Sequence, residues 1–179
     1  MKKKIIISIS VIVLIVAAVL VKNFVTTRNI NNKDLLAEKI KAEENLDSVK
    51  VRKTVKNKNM VFVLYEDSKK QIGLAILKNE GVILKRYTYF GGTSPNEYSY
   101  GTYNTSDPKK TIIVVLGNNN GDGERYEFKA YGKTYTEDIS KQKDILKVYW
   151  LTYEDTKGKN TYDELIVYDK NNNEIDLYK

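Results

Sequence analysis

Residues 60–78 read MVFVLYEDSKKQIGLAILK, two apolar runs separated by Asp67, Ser68, Lys69, Lys70 and Gln71. β-Branched and aromatic residues fill the first run and the polar break is short, so the stretch predicts two adjacent antiparallel strands. A lone pair of strands cannot bury such side chains, so partners must come from elsewhere in the chain. ILKRYTYF, residues 83–90, supplies the next strand, with Lys85, Tyr87 and Tyr89 alternating with Leu84, Arg86 and Thr88.

GGTSPNEYSYGTYNTSDPKK, residues 91–110, interrupts the pattern and predicts a long loop with a small strand near Tyr98–Tyr103. TIIVVLG, residues 111–117, reads as a central strand. NNNGDG, residues 118–123, reads as a sharp hairpin turn in which Asn120 and Gly121 take left-handed conformations. Residues 124–139 give two polar-faced strands meeting at Tyr131 and Gly132, and ILKVYWLTYE, TYDELIVYD and EIDLYK give three more candidates. The expected fold class is α+β: an N-terminal transmembrane helix, a short amphipathic helix, then a mainly antiparallel domain of about eight strands at residues 60–179. FVLYEDSKKQIGLAIL and YWLTYEDTKGKNTYDELIVY share an aromatic run, an acidic exit and an apolar return, which suggests either a duplicated hairpin or the general likeness of hairpins.

Upstream, MKKKIIISISVIVLIVAAVLVKNF opens the chain with three lysines and then seventeen uncharged residues, Ile5–Val21. At about 1.5 Å per residue this run reaches roughly 26 Å, near the short limit of a membrane span. Residues 1–4 are therefore expected in the cytoplasm, 5–25 as a transmembrane signal-anchor and the remainder outside. A cleaved signal peptide shares the basic and apolar opening, but Ala17 and Ala18 lie inside the run and Val19, Leu20 and Val21 suit a peptidase poorly. Residues 26–59 read as a polar and basic connector. They carry a helix at about 34–46, capped by Asn32 or Asp34, with Leu35, Leu36, Ile40 and Leu46 as its apolar positions.

Residues 1–60 hold thirteen Lys and Arg against five Asp and Glu, or +8, and residues 61–179 hold seventeen against eighteen, or −1. The formal net charge of +7 thus belongs to the first third. KVRKTVKNK, residues 50–58, is its densest part, read as a solvated connector or a contact for anionic head groups or wall polymer. Nucleic acid is not an expected partner, since no aromatic residue interleaves this run.

The chain has no histidine and no cysteine, which removes the usual neutral-pH base, the thiol nucleophile and the commonest zinc ligands. Ser106 with Lys109 and Ser140 with Lys143 have a Ser-x-x-Lys spacing that composition alone explains. NNNGDGE lacks the alternating ligands and the late Glu of a calcium loop. Glu66, Asp67, Glu154, Asp155, Asp163, Glu164 and Asp169 could pair for glycan chemistry only if the fold sets two of them face to face. No catalytic residue, metal or cofactor is assigned.

Fourteen tyrosines are the remaining unusual feature. Tyr87 with Tyr89, and Tyr98 with Tyr100, alternate on strands and could form aromatic strips; with Tyr103 they are the expected binding residues, against the plainer reading that they pack the sheet. MKKKIIISISVIVLIV, the Asn- and Lys-rich connector, MVFVLYED and YDKNNNEIDLY together resemble uncharacterised small membrane-anchored exported proteins of low-GC Gram-positive bacteria. That resemblance implies a location and no activity. The resulting expectation is a single-pass cell-membrane protein, N-terminus inside, whose tethered extracytoplasmic domain binds or organises a membrane or cell-wall protein. A wall-glycan enzyme using paired carboxylates and a cleaved secreted binding protein are the alternatives.

Overall fold

The computed structural model describes residues 11–21, 32–80, 83–93, 98–105, 107, 109–159 and 163–177, with backbone alone at 79–80, 83–87 and 89–93. Residues 11–21 are helical (α1), and their large apolar side chains are about half to two-thirds exposed. Helix α2 covers Lys33–Glu44. Asn32 caps it by accepting from the backbone N–H groups of Asp34 and Leu35 at 3.0 and 3.2 Å, and Asn45 closes it in a left-handed conformation at φ 52°.

Eleven strands are described: β1 (Val49–Asn57), β2 (Met60–Asp67), β3 (Ile72–Glu80), β4 (Ile83–Thr93), β5 (Tyr98–Asn104), β6 (Lys110–Asn118), β7 (Arg125–Ala130), β8 (Lys133–Asp138), β9 (Asp144–Thr152), β10 (Glu164–Tyr168) and β11 (Glu174–Ile175). A one-turn helix, α3 (Tyr153–Thr156), follows β9. The strands form three sheets, ordered β1-β2-β3-β4, β5-β6-β9 and β11-β10-β7-β8, and every described pairing is antiparallel.

The sheets stack with α2 on the outside, and side-chain alternation explains the order. On β2, Phe62 and Leu64 enter the core shared with the second sheet, whereas Val61, Val63 and Tyr65 enter the core under α2 with Leu36 and Ile40. On β6, Ile112, Val114 and Leu116 meet the first sheet, while Ile113 and Val115 meet Tyr126, Phe128 and Val167 of the third. Strands buried on both faces read as unbroken apolar runs, hence MVFVLY and TIIVVL. The third sheet keeps one wet face, so Tyr126, Phe128 and Ala130 alternate with the more exposed Arg125, Glu127 and Lys129. Each fully buried Leu, Ile or Phe contributes roughly 1.5–3 kcal/mol.

Three expectations need correction. No helix among the described residues is long and apolar enough to cross a membrane; residues 5–10 and 22–25 of the expected span lie outside the described residues. The transmembrane part of the fold class is overturned. The lipid-bilayer partner, the single-pass cell-membrane location and the inside N-terminus with an extracytoplasmic domain fall with it.

Second, the basic run 50–58 is not a connector: β1 forms the edge of the first sheet, with Val49 and Val51 against the α2 core. Third, the two similar segments are not two hairpins, because β2 and β3 pair whereas β9 and β10 belong to different sheets. The repeat the fold does contain is smaller. Asp67 accepts from the N–H groups of Lys69 and Gln71, and Asp169 from those of Asn171 and Asn173, each at 2.8 Å. Lys70 and Asn172 follow in left-handed conformations at φ 62° and 64°, so the same five-residue turn closes β2–β3 and β10–β11.

Candidate functional site

The tyrosines do not share one surface. Tyr98 and Tyr100 face the core between the second and third sheets. Burial, with a smaller contribution from Asp122, pushes the Tyr98 hydroxyl up to about 12. The Tyr100 hydroxyl donates to the Asp163 carbonyl at 2.9 Å and its ring lies 5.2 Å from that of Phe128. Tyr103 packs on the opposite face of the sheet, toward the first sheet, and folds over Gly101, where a Cβ would lie 2.5 Å from its hydroxyl. Tyr87 and Tyr89 lie on β4, with Tyr89 opposite Ala75 and Tyr87 at an irregularity in the register; their side chains lie outside the described residues.

The carboxylates are also dispersed, and this overturns the paired-carboxylate enzyme. Glu66 pairs with Arg52 at 2.6 Å, Glu164 with Lys129 at 2.8 Å, and Asp155 with Lys133 while capping α3 through Thr152. Asp67 and Asp169 are engaged by their own turns. Asp163 accepts from Thr102 at 3.2 Å, and burial raises its pKa. Among the described residues no cluster of acidic side chains could hold a metal ion.

What the fold does build is a framed set of loops where the second and third sheets exchange the chain. β6 and β7 lie in different sheets, so residues 118–124 are a crossover and not the expected hairpin. The crossover is organised by Asn119, the buried polar residue of the described core at 5% exposure. Its Nδ2 donates to the carbonyls of Gly123 and Ile139 at 2.8 and 2.9 Å, and its Oδ1 accepts from the N–H groups of Gly121 and Gly123 at 3.1 and 3.0 Å. Two donors and two acceptor sites are the full capacity of an amide. The main chain adds a bond from Asn119 N–H to the Lys143 carbonyl at 2.7 Å and one from Ile139 N–H to the Glu124 carbonyl at 2.9 Å.

The facing loop, Ile139–Lys143, is held from its other side. Asp138 accepts from the Ser140 N–H and hydroxyl at 2.9 and 2.7 Å, and Gln142 donates back to the Asp138 carbonyl at 2.8 Å. Arg52, at a bulge in β1, spans Glu66 at 2.6 Å and Asp144 at 2.8 Å, joining the first sheet to β9. Its neighbour Lys53 donates to the Asp144 carbonyl at 2.9 Å and to the Gln142 amide oxygen at 3.2 Å. Burial, then Lys147, lowers the Lys53 pKa.

Two open concavities flank Gly121, which sits at φ 104° with open space around it. One, of about 380 Å³, is lined by Asn120, Ser140, Lys141, Gln142 and Lys143. Neither of its lysines lies within 4 Å of a carboxylate among the described residues, whereas Arg52, Lys110, Arg125, Lys129, Lys133 and Lys147 each have one. The other, of about 320 Å³, is lined by Asp122, Glu124, Asp169, Lys170 and Ile175.

No protein-family model, curated protein or solved structure matches the chain. The resemblance to small membrane-anchored exported proteins is therefore withdrawn, since it rested on the anchor and on the general style of the sequence. The tethered envelope scaffold is overturned with its anchor, and the cleaved secreted binder is withdrawn with the resemblance. The site's own geometry remains.

Proposed function

We propose that this chain is a non-catalytic binding module that takes an acidic peptide segment in the concavity between Asn120 and Lys143. The observation that carries the reading is the pair Lys141 and Lys143, two cations without a counter-ion within 4 Å, on a loop fixed by Asn119, Lys53 and Arg52. A fixed loop lowers the ordering cost of binding. Lysine ammoniums are compact charges on flexible stems, suited to carboxylates spaced along a chain. No aromatic residue lines the concavity, so bases would find nothing to stack on.

Fluorescence anisotropy with a labelled oligo-glutamate peptide tests this reading. Binding should weaken as salt rises through about 0.1 M, because exposed charges are screened over a Debye length of about 10 Å there. Lys141→Gln with Lys143→Gln should weaken it about 5- to 30-fold, the equivalent of roughly 1–2 kcal/mol. A folded double variant that binds as the parent does would refute the site, and equal binding of a DNA oligonucleotide would refute the peptide assignment.

A further inference from the structure

The two concavities beside Gly121 carry opposite charge. Lys141 and Lys143 give the first a formal +2, with no acidic residue in its lining. Asp122, Glu124 and Asp169 against Lys170 give the second −3 + 1 = −2. Because the patches share one rim, a two-fold axis through that rim would lay each copy's lysines on the other copy's carboxylates, twice over. An isologous contact needs this self-complementarity. The positions are also well fixed. Asn119 holds Gly121 and Gly123 on either side of Asp122, and Asp169 is held by the N–H groups of Asn171 and Asn173. Those bonds, led by Asn173, keep the Asp169 carboxyl below the ordinary range, so it stays charged in mildly acidic solution.

We infer that the acidic partner of the lysine concavity is a second copy of this chain, docked through Asp122, Glu124 and Asp169 about a two-fold axis near Gly121. This inference rests on the proposed lysine site and names its occupant. Other faces of the fold are less suited. On β1, Arg52 and Lys53 are already engaged by Glu66, Asp144 and Gln142, and on β8, Lys133 and Glu137 are held in ion pairs with Asp155 and Lys147. Opposed charges mainly set partner choice and encounter rate, so the contact should be reversible and salt-sensitive.

The chain has no cysteine, so one introduced thiol reports proximity cleanly. In the full chain, Asn120→Cys should oxidise to a covalent dimer at low salt. Adding either Lys141→Glu with Lys143→Glu or Asp122→Lys with Glu124→Lys should cut the yield about tenfold. An equimolar mixture of the two charge-reversed proteins should restore crosslinking as a heterodimer. Association through the exposed apolar side chains of α1 would ignore these charges. Unchanged yield in both reversed variants, or a mixture that stays monomeric, would overturn the inference. An Asp122→Asn, Glu124→Gln protein keeps both lysines and adds no new cation, so oligo-glutamate binding to it reads the concavity alone. Binding without charge-dependent dimers leaves only the lysine site standing, and dimers without binding refute the external peptide alone.

Discussion

Replacing Asn119 with alanine is the sharpest test of how the loops are built. The substitution removes four hydrogen bonds and strips the buried Gly123 of the partners of its N–H and its carbonyl, whereas the Ile139 carbonyl still accepts from the Gln142 N–H at 2.9 Å. Each buried polar group stripped of its partner costs about 1–3 kcal/mol, so two of them give a loss of about 2 kcal/mol or more, before any water enters to offset it. That is a large share of the roughly 5–15 kcal/mol available to a single domain. Urea unfolding followed by the emission of Trp150, the one tryptophan, would measure it, since that ring packs edge-on to Phe62 at 6.4 Å between the first two sheets. Asn119→Asp refines the test, because a carboxylate can still accept from Gly121 and Gly123 but offers nothing to the two carbonyls. It should be at least as destabilising near neutral pH and should partly recover on acidification, as protonation returns one donor. A loss below about 1 kcal/mol in Asn119→Ala would refute the reasoning, because a single ordinary hydrogen bond contributes that much.

Three further outcomes follow from the packing. Arg52→Met should destabilise by about 2 kcal/mol in the same unfolding assay, less than a fully buried pair would because Glu66 and Asp144 are about a quarter exposed, and no loss would show that β1 is held to β9 by other contacts. Gly73→Ala puts a Cβ within 2.3 Å of the buried Tyr65 ring and should cost about 1–3 kcal/mol, with Tyr65→Leu restoring part of it; an unperturbed melting temperature would refute the close approach. Tyr65, Tyr98, Tyr103 and Tyr149 have hydroxyls pushed up to about 12, by burial first in each, against 10.0 in the unfolded chain. The unfolded state therefore loses its protons first, so this stability is complete below pH 10 and is lost as pH rises toward 12. Ultraviolet titration should show a late-ionising group of tyrosines coincident with alkaline unfolding, and a single transition near pH 10 in the folded protein would contradict it.

The parts of this fold that sequence made legible are those whose two faces face the same way chemically. β2, β3 and β6 are apolar on both sides because each lies between two layers, and they stand out in any reading. β1 does not, since an edge strand needs only Val49, Val51 and Val55 for packing and can carry Lys50 and Lys56 between them, with Arg52 and Lys53 spent on Glu66, Asp144 and Gln142. α2 was legible from Asn32 and from Leu36 and Ile40 on one face. The composition of the apolar leader suits a span, but no helix among the described residues is long and apolar enough to cross a membrane.

The candidate site was hidden for a different reason. Asn-Asn-Asn-Gly is good turn chemistry wherever it occurs, and only the placement of β7 in another sheet turns it into a crossover with Asn119 inside. That placement depends on Tyr126 packing against Ile139 and Val167, the last two far along the chain. Tyr98 was equally ambiguous, because whether an edge-strand tyrosine is buried depends on the space left by Gly123, where a Cβ would meet its hydroxyl at 2.6 Å. Lys141 and Lys143 stood out only through the chance Ser140–Lys143 spacing, being two lysines among many until the loop sets them around a concavity with no carboxylate in its lining.

The most direct measurement is backbone amide chemical-shift mapping of the full chain titrated with unlabelled oligo-glutamate. Shifts confined to residues 119–121 and 140–143, and abolished by Lys141→Gln with Lys143→Gln, are the predicted result. Shifts centred on β1 or β5, or an unchanged spectrum at low salt, would contradict the placement of the binding site at these loops.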